Sequence, residues 1–110
     1  MDGTACIVMT TASTEDEAEA LAAAIVEAGL AACVQVQRVR SIYVWQGTLH
    51  REPEWLLLIK TLAARYAVLE AFIRERHSYE TPEIVQLPIT AGSADYLRWL
   101  AGGSAGAAQA

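Results

Sequence analysis

The chain predicts an α+β fold in which strands and helices follow the order β-α-β-β-α-β, with one further helix at the C-terminal end. Three observations carry this. Residues 5–9 are a continuous apolar run of strand length. The stretches after Ser13 and after Leu62 place apolar residues at the 3.6-residue period of a helix face. Between them lies a long segment rich in β-branched and aromatic residues, broken by a single turn signal at Gln46 and Gly47.

Taken in order, Ala5 to Met9 reads as a strand covered on both faces. Ser13 or Thr14 can cap the helix that follows, and Glu15, Asp16 and Glu17 suit the positive end of its dipole. Ala18, Leu21, Ala22 and Ile25 form its buried stripe, and Gly29 is its natural stop. From Ala31 to Trp45, Val34 and Val36 share one parity, whereas Val39, Tyr43 and Trp45 take the other. A strand keeps a period of two, so a bulge is expected around residues 37–39. The next strand should run from about Thr48 to Leu62, with Pro53 at an edge or a bulge. Trp55 to Ile59 is apolar at both parities. With helices on only one face of the sheet, half of that run needs another cover, most simply a second subunit, so Trp55→Asp or Leu57→Asp is expected to disrupt assembly.

A second helix spans Leu62 to Arg76 with Tyr66, Leu69 and Ile73 on its stripe, and a last strand spans Glu83 to Ile89. Ser93 caps a short helix holding Tyr96, Leu97, Trp99 and Leu100, and the small residues 101–110 read as a disordered tail, so the domain is residues 1–100. The order is that of the ferredoxin-like arrangement, which hosts many functions.

Composition bounds the partners. At 110 residues with 54% hydrophobic and 19% charged residues, the chain fits one domain that is apolar for its size, which favours a homo-oligomer. A net charge of −5 argues against nucleic acid or an anionic membrane as partner. The start has no signal-peptide pattern, and two cysteines give no disulfide framework, so the expected location is the cytoplasm.

Several strings bear on identity: Leu30 to Val34, Ser41 to Gly47, Lys60-Thr61, His77 to Ile84, Leu87 to Ile89, and Tyr96 to Leu100. In this order and spacing they resemble the CutA family of divalent-cation-tolerance proteins. The resemblance implies a ferredoxin-like subunit assembled as a trimer through its long hairpin. It also implies a role in tolerance of copper and other divalent metals, and it leaves open a regulatory module of the kind nitrogen-signalling trimers represent. One departure falls in the loop: relatives usually carry proline after the histidine, and Ser78 stands here, which leaves His77 less constrained. A smaller one is Gln35, where asparagine is common.

Weighed as chemistry, Cys33 is the strongest metal candidate, since thiolate suits copper(I); the alternative is a core cysteine, as for Cys6. His77 and Glu80 are close enough in sequence to face one ion. Alternatively, His77 serves the C-terminal end of a helix and Glu80 binds loop N–H groups. His50 reads as a solvated strand residue. Tyr43 and Trp45, with Lys60, are candidates for an inter-subunit ligand cleft. For Lys60 the alternative is an ion pair with Glu54 or Glu80, and for the aromatics it is packing. No dense metal-ligand spacing, phosphate loop or oriented nucleophile is present, so no enzyme is expected. A hydrolase using Cys33 is the least supported class. The leading expectation is a copper-tolerance homotrimer with copper or another divalent metal on Cys33, His77 and Glu80. The rival is a trimeric regulatory module with a ligand cleft near Lys60, Tyr43 and Trp45.

Overall fold

The structure, a computed structural model, describes residues 4–104. It contains β1 (Ala5–Ala12), α1 (Glu15–Glu27), β2 (Cys33–Trp45), β3 (Thr48–Leu62), a 3-10 turn (Ala63–Arg65), α2 (Tyr66–Arg76), β4 (Val85–Pro88) and α3 (Ala94–Gly103). The four strands form one antiparallel sheet in the order β2-β3-β1-β4, which is the ferredoxin-like arrangement expected.

Local chemistry sets the elements. The Thr14 hydroxyl accepts the Glu17 N–H at 3.1 Å, and the Glu17 carboxylate accepts the Ser13 N–H at 3.2 Å, a reciprocal cap that starts α1. Gly29 ends the helix in the left-handed region at φ 73°, and the Leu30 N–H closes onto the Ile25 carbonyl at 3.1 Å. Gln46 and Gly47 both take positive φ, the two-residue turn whose twist matches a hairpin.

Strand parity sets the core. Cys6, Val8, Leu57 and Ile59 point to one face and are buried under α1 (Ala18, Leu21, Ile25) and α2 (Leu69, Ile73). Burial pushes the Cys6 thiol pKa up, as befits a core residue. The alternate residues Ile7, Met9, Leu56 and Leu58 are only half-buried on the other face, where α3 packs on β3 and β1.

Several expectations are corrected. β2 and β3 pair without interruption from Cys33↔Lys60 to Trp45↔Thr48, so no bulge exists at 37–39. The parity of apolar residues changes because the surroundings change. Past Ala12↔Trp55, the last β1 pair, the hairpin leaves the helices behind and residues 39–54 stand out as a two-stranded arm. Pro53 lies in that stretch, where β1 no longer needs an N–H from β3. Leu57 is wholly core within the subunit and Trp55 packs against the same cluster, so neither is a free assembly face. β1 is covered fully on one face only, and β4 is shorter than expected, reduced to four paired residues.

α3 continues past residue 100 through Gly103, and Ser104 is buried. The last turn fits because Gly103 lacks a side chain: a Cβ there would lie 2.8 Å from the Ala32 Cβ. Residues 105–110 of the expected tail lie outside the described residues.

Candidate functional site

The chain between α2 and β4 crosses the end of β1 and settles against the base of the arm. His77, the first residue past α2, fixes its course. Its Nδ1 accepts the Tyr79 N–H at 3.0 Å, so Nε2 must carry the ring proton, and it lies 2.6 Å from the Thr11 carbonyl. Both nitrogens are thereby engaged. The Ser78 N–H donates to the Glu17 carboxylate at 3.2 Å, a bond that the proline usual at this place could not make. The departure at Ser78 therefore exchanges a stiff residue for a tether to the start of α1.

Tyr79 then reaches the arm. Its hydroxyl donates to Glu54 at 2.6 Å, and the Ser41 hydroxyl donates to the other Glu54 oxygen at 2.6 Å. Burial, reinforced by the Glu54 carboxylate, holds the Tyr79 pKa far above the ordinary phenol value. Further out, Tyr43 stacks on His50 with ring centroids 5.1 Å apart and donates to Glu52 at 3.4 Å. Burial and then the Glu52 charge raise its pKa. The result is a cleft of about 580 Å³ whose lining includes Tyr43, Trp45, Glu54, Tyr79, Glu80 and Glu83. Among the described residues no lysine or arginine lines it, so its electrostatics suit a cation or a neutral hydrogen-bonding ligand.

The six sequence candidates separate. Tyr43, Trp45 and Glu80 share this cleft. Lys60 does not: it pairs in register with Cys33 and Ile7, and its ammonium donates to the Gln35 side-chain carbonyl rather than to Glu54 or Glu80. Gln35, the longer residue where asparagine is common, supplies that acceptor. Cys33 is half-buried beside Lys60, four sheet rows from the Thr11 row that His77 touches. Among the described residues no three His, Cys, Asp or Glu come together to hold a metal. Within one chain, then, Cys33, His77 and Glu80 do not fit a copper centre, and His77 has no free nitrogen to offer. His50 lies 3.5 Å from Glu52 on the arm. Sequence reasoning missed Ser41, Glu54 and Tyr79 as one group; the only signal was the alternation around Pro53, which sends Glu52 and Glu54 to the same face.

The Glu17 network has a pH signature. Partial desolvation opposes it, but hydrogen bonds from Ser78 and Ser13 prevail and lower the Glu17 pKa below 4.5. A depressed folded-state pKa contributes stability above 4.5 that is lost as pH falls through the folded value. Thermal melts against pH should show the wild type losing stability in that window. Glu17→Gln should lie lower above it and converge with wild type at the acid end.

Comparison with known proteins agrees with this architecture. The family model described as CutA1 divalent ion tolerance protein matches residues 6–102. The chain is 43% identical over 95 residues to the divalent-cation tolerance protein CutA of Thermus thermophilus, covering 86% of this chain and 92% of that one. The structure of CutA from Synechococcus elongatus superposes with a TM-score of 0.90 at 38% identity, covering 96% and 95% of the two chains. A structure from Archaeoglobus fulgidus, described as a periplasmic divalent cation tolerance protein CutA, superposes with a TM-score of 0.85 at 31% identity, covering 87% and 94%. On the match to the family model and the identity to these relatives, the chain belongs to the CutA1 divalent ion tolerance family.

Proposed function

We propose that this divalent-cation tolerance protein works as a non-enzymatic homotrimer, in the cytoplasm, whose contacts with copper or another divalent ion are completed between subunits. One observation carries the assembly: the subunit exposes two different apolar surfaces on opposite edges of its sheet. Ile42 (61% exposed), Val44 (66%) and Leu49 occupy the arm beyond β1, and Val85, Leu87 and Trp99 occupy β4 and α3. Two unlike patches on opposite edges suit a contact in which one edge of a subunit meets the other edge of the next. They make a head-to-tail contact, which closes as a ring, and three subunits form the smallest such ring beyond a dimer. Among the described residues no helix is long and apolar enough to cross a membrane.

The metal contact follows from what each chain lacks. Glu80 offers a carboxylate at the cleft and Cys33 a thiol at the far end of the sheet, and among the described residues neither belongs to a group of three His, Cys, Asp or Glu side chains placed to hold an ion. A neighbour must supply the further donors. Sedimentation equilibrium tests the assembly: the native particle should have about three times the 11.9 kDa subunit mass, and a monomer at micromolar concentration would refute it.

A second reading has its own observation. The cleft holding Tyr43, Trp45 and Glu80 is about 580 Å³, within the range of small-molecule sites. A regulatory ligand there would be cationic or neutral, and Lys60 would take no part.

A further inference from the structure

Three of the chain's eight basic residues, Arg38, Arg40 and Arg51, converge on one side of the arm. With Val39 and Pro53 they line a concavity of about 470 Å³. Strand register explains the convergence. Arg38 and Arg40 are two residues apart on β2 and share a face, while Arg51 pairs with Ile42 and so lies diagonal to Arg40 on that same face. The neighbouring acids go the other way. Glu52 and Glu54 pair with Ser41 and Val39 and accept the Tyr43, Ser41 and Tyr79 hydroxyls on the cleft side.

The period of two thus strips these arginines of the carboxylates beside them in sequence. The arginine salt bridges among the described residues involve Arg74, Arg76 and Arg98, none of the three. Arg38 rests 5.7 Å from the Trp55 ring centroid, which holds its guanidinium over an apolar surface. Like charges at diagonal strand positions repel. In a chain of net charge −5 the patch is also a local reversal of sign.

We propose that this concavity binds a multiply charged oxyanion, the phosphoryl group of a small soluble compound, through Arg38, Arg40 and Arg51. Guanidinium forks match phosphoryl oxygens in pairs, and three of them suit an anion carrying more charge than one carboxylate. A small ion is favoured over a membrane or a nucleic acid by the rest of the molecule. An extended anionic surface would also meet the glutamates across the arm and the net negative charge, at separations comparable to the roughly 8 Å screening length. The patch lies between the apolar tip of the arm and the body of the subunit; Arg51 is the cross-strand partner of Ile42, so the proposal rests on the assembly proposed above leaving this concavity open.

Calorimetric titration of the full chain with inorganic pyrophosphate tests it. The expected result is saturable binding of one ion per subunit that weakens as salt rises. Affinity should fall about tenfold for each of Arg40→Gln and Arg51→Gln, the loss of one charge-assisted contact apiece. Arg76→Gln serves as control, because Arg76 is engaged with Glu75 and Phe72 on α2. Unchanged affinity in the double variant, or an equal loss in Arg76→Gln, would overturn the proposal. So would dissociation of the native particle in the double variant, which would assign the arginines to a neighbouring copy's glutamates. Capture by phosphatidic acid vesicles without pyrophosphate binding would assign them to a lipid surface instead.

Discussion

Replacing His77 with alanine is expected to cost stability without removing a metal ligand. The imidazole joins three parts of the subunit: it follows α2, it accepts the Tyr79 N–H, and it donates to the Thr11 carbonyl at the end of β1. Thr11 is buried with the ring in place, so the ring serves its carbonyl where water does not. A buried carbonyl left without its donor costs about 1–3 kcal/mol, and the loop loses its N–H acceptor as well. In a domain of this size that corresponds to a fall in Tm of roughly 10 °C. A chemical denaturation series should show the shift. If His77 were a metal ligand instead, the variant would retain its stability and lose affinity for copper.

The second large effect separates assembly from folding. Val44→Asp combined with Leu49→Asp places two charges on the arm, where both side chains are exposed in the isolated subunit. The subunit should fold, while in the proposed trimer the charges would be buried without partners, so the particle should dissociate. Leu57→Asp is the contrasting case. Leu57 is fully buried in the core between β1 and α1, and a carboxylate there should cost about 4 kcal/mol or more, a large part of the roughly 5–15 kcal/mol that holds a domain together. Circular dichroism with sedimentation distinguishes the outcomes. The arm variant should be a folded monomer, and Leu57→Asp should lack a cooperative transition. An arm variant that remains trimeric would place the interface elsewhere.

The order of elements was legible because each rests on local chemistry: the Thr14 cap, the Gly29 stop, the Gln46-Gly47 turn and the Ser93 cap are all within a few residues of what they control. The apolar run at Trp55–Ile59 was legible as needing cover on both sides. Which parity faced the helices was not, because that depends on where β1 ends, and the expected bulge came from the same ignorance. The last turn of α3 was hidden in a string of small residues, since the use of Gly103 against Ala32 is a tertiary fact.

The site divides in the same way. Tyr43, Trp45 and Glu80 were identifiable by type and do share a cleft. Their connection to Glu54 through Tyr79 and Ser41 joins residues 13 and 25 positions apart, which only the folded arm brings together. Cys33 was singled out as a metal candidate and Lys60 as a cleft residue or an ion-pair partner of Glu54 or Glu80; in the fold the two are cross-strand neighbours and Lys60 donates to Gln35. Pairing register carries them away from the cleft. His77 was singled out by its chemistry, and that chemistry is spent on holding the loop.

The most direct test of the central claim is a copper titration that counts ions per subunit in the wild-type particle, in His77→Ala and in the dissociated Val44→Asp/Leu49→Asp variant. A metal contact completed between subunits should be present in the first two and lost in the third. Equal binding by the folded monomer, or its loss in His77→Ala with the fold and particle intact, would contradict the account.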